Sequence, residues 1–128
     1  MTGTPMYMSP EVITGAPTGK QGSIDIWSLG CVVLEMATGR RPWANLDNEW
    51  AIMWNIASGH SPTLPTSDQL SEAGIDFLKK CFARDPKLRP SAAELLQHEW
   101  VSFERFHILS STSSTSFPYS CSYSSYLP

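Results

Sequence analysis

Gly3-Thr4-Pro5-Met6-Tyr7-Met8-Ser9-Pro10-Glu11, followed further on by Asp25-Ile26-Trp27-Ser28-Leu29-Gly30, is the part of the chain that decides the fold. By residue chemistry alone Gly3-Thr4-Pro5 reads as a turn, because proline fixes φ and glycine accepts conformations closed to other residues. The pattern changes at Asp25. Ile26, Trp27, Leu29, Val32, Val33, Leu34, Met36 and Ala37 make a helix to Thr38 that is apolar on almost every side, with Gly39 at the C′ stop. Such a helix is expected to be buried and to need neighbours on all its faces. Asp25 heads it, where the helix dipole favours an acidic side chain.

Outward from this centre, Pro42 and Asn45-Leu46-Asp47-Asn48 mark a loop, after which Trp50, Met53, Trp54 and Ile56 recur at helical spacing up to Gly59. Aromatic residues so spaced more often face a core than a partner, so Trp43, Trp50 and Trp54 are expected inside; an aromatic docking patch is the alternative. His60 to Thr66, with Pro62 and Pro65, is a connector. A helix opens near Ser71 and carries Ile75, Leu78, Cys81 and Phe82 on one side. Ser91-Ala92-Ala93-Glu94 is a capping box that starts a final helix bearing Leu95, Leu96 and Trp100. The expected fold class is therefore mostly α. From Ser110 to Ser125, eleven of sixteen residues are Ser or Thr and no charged residue follows Arg105, so this tail is expected to be disordered.

With 128 residues, 41% of them apolar, the chain is long enough for one domain with a core. A net charge of −3 and nine dispersed Lys and Arg residues offer no basic field, so no nucleic-acid partner is expected. Cys31, Cys81 and Cys121 lack metal-ligand spacing, and neither a disulfide nor a zinc site is expected. His60, His98 and His107 share no spacing that suggests a metal or a relay and read as bystanders. The start carries no basic leader with an apolar run, and Leu29–Leu34 is too short to span a bilayer. The expected setting is cytoplasmic, with the nucleus possible, and away from membranes.

The opening stretch resembles the end of the activation segment and the start of the central helix of eukaryotic protein kinases. Further signatures follow in the family's order: Thr38-Gly39-Arg40-Arg41-Pro42-Trp43, Leu78 to Pro86, Arg89-Pro90-Ser91-Ala92-Ala93-Glu94-Leu95-Leu96 and His98-Glu99-Trp100-Val101. The Gly3-Thr4 pair resembles the serine/threonine type. Met8-Ser9-Pro10-Glu11 and Asn45–Ile52 are similar to mitogen-activated protein kinase kinase kinases, especially the stress-responsive fungal ones. The resemblance implies the helical carboxy-terminal lobe of the kinase fold over residues 1–106, with the amino-terminal lobe absent and a tail over 107–128.

In that family the Gly-rich loop, strand lysine, catalytic loop and metal-binding Asp-Phe-Gly lie before this point. The resemblance thus implies no catalytic, cofactor or metal residue in this piece; ATP and Mg²⁺ serve the parent kinase. Thr4, Pro5 and Met6 are implied to receive the substrate residue beside the phosphorylated hydroxyl. Glu11 and Arg89, two charges that by themselves read as solvent-exposed, are implied to form a buried ion pair. Asp25 is implied to accept backbone hydrogen bonds from the catalytic loop, and Trp27 to pack. The implied parent transfers the ATP γ-phosphate to Ser or Thr of a MAP kinase kinase in a stress cascade, with the missing amino-terminal half as the other partner. The isolated piece is expected to be inactive. Two other readings stay open: a non-catalytic docking module that competes for the substrate kinase, and a truncated gene model with no product of its own.

Overall fold

The computed structural model describes residues 4–102; the Ser/Thr-rich tail, Cys121 and His107 lie outside the described residues. A 3-10 turn at Pro5–Tyr7 leads into α1 (Pro10–Thr14), α2 (Ser23–Thr38), α3 (Glu49–Ala57), α4 (Glu72–Cys81) and α5 (Ala92–Leu95), with no strand among the described residues. The mostly α class expected from the pattern is what is found.

α2 begins at Ser23, two residues before the expected Asp25, and ends where Gly39 adopts φ 69° and its N–H donates to the Glu35 carbonyl at 2.8 Å. Ile26, Trp27, Cys31, Val33 and Leu34 of α2 form one core with Phe77, Leu78, Cys81, Phe82 and Leu95. Each large apolar side chain so buried contributes about 1.5–3 kcal/mol relative to exposure. Gly30 makes the close approach possible, since a Cβ there would stand 2.7 Å from Cys81 Cβ and 2.9 Å from Phe82 Cε1. The expectation that α2 is buried on all faces is corrected: Leu29, Val32 and Met36 are 41%, 47% and 73% exposed. Spaced three and four apart, they share a stripe that no described element covers.

α3 starts where the Asn48 side chain accepts the Trp50 N–H at 2.8 Å. Ile52 and Ile56 are its buried residues, whereas Trp50 and Trp54 are 77% and 66% exposed, which corrects their assignment to the core. A nine-residue helix with two apolar stripes has no unique inner face; packing against α1 and the 3-10 turn selects the isoleucines.

α4 is capped by Ser71, whose Oγ accepts the Gly74 N–H at 3.2 Å, and has Glu72 in its first turn and Lys79 and Lys80 in its last. The single final helix expected after Ser91 is instead split. Ser91 Oγ accepts the Glu94 N–H at 3.2 Å, but α5 lasts only four residues. His98 then restarts the chain: its Nδ1 accepts the Trp100 N–H at 3.1 Å, its carbonyl accepts from Ser102 N at 2.9 Å, and residues 99–102 are helical. The other ring nitrogen bonds Asp76 Oδ2 at 2.7 Å, and the ring stacks edge-on to Phe77. His98 is thus a cap that ties this segment to α4, not a bystander.

Candidate functional site

The Thr4–Met8 loop is laid along α2 by one stripe of that helix. Ser28 Oγ donates to the Tyr7 carbonyl at 2.9 Å, Cys31 Sγ lies 3.8 Å from the Met6 carbonyl, and Glu35 Oε2 accepts the Tyr7 hydroxyl at 2.6 Å. Positions 28, 31 and 35 recur at the helical repeat and so present three tethers in line. The hydrogen bond to Glu35, then burial, then the Glu35 charge hold the Tyr7 phenol above its ordinary value of 10.0. Pro5 at the first turn position is buried and Met6 half-buried, while Thr4 is exposed and its carbonyl accepts the Tyr7 N–H at 3.2 Å. The backbone of this loop is therefore held against α2, with α3 packed on the same turn and the Thr4 side chain exposed.

Glu11 and Arg89 meet in the interior. Arg89 Nη1 donates to Glu11 Oε1 at 2.6 Å and Nη2 to Glu11 Oε2 at 3.1 Å, a planar fork against a carboxylate. The remaining guanidinium hydrogens are used as well: Nη1 reaches the Ser23 carbonyl at 2.8 Å, Nε the Ala83 carbonyl at 2.9 Å and Nη2 the Arg84 carbonyl at 3.4 Å. Trp27, fully buried, floors the pair, with Arg89 Cζ 5.3 Å from its ring centroid and Phe82 edge-on at 5.1 Å. Burial, the largest single influence, pushes the Glu11 carboxyl up, but the hydrogen bond and charge of Arg89, together with its own backbone N–H and Ser9, outweigh it, and the group lies below its ordinary 4.5. The pair fastens α1, and with it the loop that precedes it, to the head of α2 and the loop before α5.

Asp25 stands exposed in the first turn of α2 and forms no ion pair among the described residues. It is not brought to the Glu11–Arg89 pair. Arg84 has no role in the sequence reading, yet its Nη1 and Nη2 donate to the Ile56 and Ala57 carbonyls at 2.8 Å each and cap the carboxy-terminal end of α3. Its place in Ala83-Arg84-Asp85-Pro86, beside the residues that hold Arg89, was the available signal. Ser28 and Glu35 are single polar residues in an apolar helix, and nothing local to them signals the loop they bind.

Cys31 and Cys81 are free thiols pushed up to about 12, chiefly by burial. Among the described residues no group of three or more His, Cys, Asp or Glu side chains could hold a metal ion, and no helix is long and apolar enough to cross a membrane.

The protein kinase domain family matches residues 1–101, and the chain belongs to that family; the helical, strand-free build of the described residues is that of the kinase carboxy-terminal lobe. Within it the chain is similar to fungal MAP kinase kinase kinases. It is 63% identical over 102 residues to MAP kinase kinase kinase SSK2 of Saccharomyces cerevisiae, covering 79% of this chain and 6% of that protein. With MAP kinase kinase kinase wis4 of Schizosaccharomyces pombe the identity is 52% over 101 residues, 79% of this chain and 7% of the relative. The human mitogen-activated protein kinase kinase kinase 4 is 49% identical over 100 residues, 77% of this chain and 6% of its own length. The chain thus spans less than a tenth of each of these three proteins.

Proposed function

We propose that this chain is the substrate-facing part of the helical lobe of a MAP kinase kinase kinase whose intact protein transfers the ATP γ-phosphate to Ser or Thr of a MAP kinase kinase in a stress cascade. The observation that carries the reading is the loop Thr4–Tyr7, tied along α2 by Ser28, Cys31 and Glu35 and anchored behind by Glu11–Arg89. Phosphoryl transfer depends on holding two reactants in line, and a rigid loop supplies that for the acceptor. In this role Thr4, Pro5 and Met6 receive the residue beside the acceptor hydroxyl, and Asp25 accepts backbone hydrogen bonds from the catalytic loop. In this reading ATP and Mg²⁺ are bound by the rest of the kinase. The partners are the MAP kinase kinase and the amino-terminal half of the kinase domain, and the setting is the cytoplasm.

The test is phosphate transfer by the purified intact protein containing this chain, using labelled ATP and a panel of catalytically dead MAP kinase kinases. Labelling of Ser or Thr in at least one member is expected, with none from the 128-residue polypeptide alone. An intact protein that labels no member would sink the proposal.

A further inference from the structure

A cavity of about 510 Å³ opens between the carboxy-terminal end of α2 and the connector before α4, away from the Glu11–Arg89 pair. Its floor is apolar, with Leu34 and Leu64, and its polar lining includes Arg40, Arg41, Asn45 and Gln69. This lining is donor-rich. Arg40 and Arg41 are exposed and form no ion pair among the described residues. Gln69 spends its carbonyl oxygen on the Thr66 N–H at 3.1 Å, which leaves its amide hydrogens to the cavity. Asp47 and Asp68, acidic neighbours in sequence, do not line it, and the carboxylate of Glu35 is engaged by Tyr7.

In a chain of net charge −3, two adjacent unpaired guanidinium groups over a ligand-sized cleft form a local positive site. Planar Arg forks suit carboxylates, and an apolar floor suits the side chains between them. The site lies on the same helix as the tethers of the substrate-facing loop, and Arg41 acts electrostatically on Tyr7 of that loop. We propose that this cavity docks an extended, Asp/Glu-rich segment of the protein substrate. The assignment to substrate rests on the kinase reading above; the affinity for acidic peptide does not.

The experiment measures fluorescence polarisation of a labelled Glu-Ala repeat octapeptide and its Gln-Ala counterpart, with the intact kinase and its R40A/R41A variant. The Glu peptide is expected to bind, the Gln peptide not, and the variant to lose about tenfold in affinity. A charge-swapped R40E/R41E variant is expected to bind a Lys-Ala peptide instead, which separates charge recognition from a folding defect. Equal binding of the Glu peptide by wild type and R40A/R41A would overturn the proposal. So would a phosphoserine peptide binding more than tenfold tighter than the Glu peptide, which would make the cavity a phosphate site. In the same kinase, R40A/R41A is expected to raise KM for a whole MAP kinase kinase without changing kcat or the rate on a short acceptor peptide. A kinase that binds acidic peptide through Arg40 and Arg41 but labels no MAP kinase kinase keeps the cavity and discards the proposed function.

Discussion

Arg89 and Glu11, 78 residues apart in sequence, meet as a fully enclosed bidentate pair at 2.6 and 3.1 Å. The contact closes the structure on itself, joining the segment behind the Thr4–Tyr7 loop to the loop before α5. Every hydrogen of the guanidinium finds an acceptor, so its burial is compensated locally.

Glu11→Gln keeps the shape of the side chain and strands the guanidinium charge, which is expected to cost about 3–5 kcal/mol. The urea midpoint of the intact kinase domain, compared with wild type, checks this. The sign of the pH dependence follows from the depressed carboxyl. Its folded value lies below 4.5, so the stabilisation is complete above that pH and is lost as pH falls through the folded value. Asp76 and Glu94, also lowered, act in the same direction, and the difference between wild type and Glu11→Gln isolates Glu11. That difference should shrink below pH 4.5; a constant difference down to pH 2 would contradict the assignment.

Arg84→Ala removes two charge-assisted hydrogen bonds from the end of α3. Because Arg84 is exposed, the expected loss is only about 1–2 kcal/mol. It should be local, with faster amide exchange at residues 52–58 and unchanged protection in α2. Uniform loss of protection across the domain would show that Arg84 acts on the whole core.

Trp50 and Trp54 face solvent while Ile52 and Ile56 are buried, so substitution should sort them by stripe rather than by size. Trp50→Ala and Trp54→Ala are expected to stay within about 0.5 kcal/mol of wild type. Ile56→Ala is expected to cost about 2–5 kcal/mol. Thermal melts of the three variants decide the matter, and a large loss at either tryptophan would place it in the core.

Gly30→Ala puts a methyl group against Cys81 Cβ and the Phe82 ring, both of which are packed in the core. Overpacking of this kind is expected to cost about 1–3 kcal/mol. Adding Cys81→Gly should recover part of it, since that change removes the atom at 2.7 Å. No recovery in the double variant would mean that the ring of Phe82 is the obstacle.

The helices themselves were legible because their signals are local. Ser71 and Ser91 announce caps, Gly39 a stop, and the apolar run from Ile26 a core helix. What was not legible depended on neighbours. Trp50 and Ile52 differ little in hydrophobicity, and only the position of α1 and the 3-10 turn decides which stripe goes inside. His98 looked idle because both of its bonds depend on geometry, one to a residue 22 positions away and one made only after α5 has broken.

The same division holds for the candidate site. The order of motifs from Gly3 to Val101 was enough, without coordinates, to place the chain among protein kinases and to suggest Glu11 and Arg89 as partners. Periodicity and capping are properties of neighbouring residues, so a linear reading contains them. Which side of α2 holds Thr4–Tyr7, how Arg84 fastens α3, and the cleft between Arg40, Arg41 and Gln69 were decided only in three dimensions. Each is set by directional hydrogen bonds or enclosed volume between segments far apart in the chain, and neither quantity exists until the core has packed.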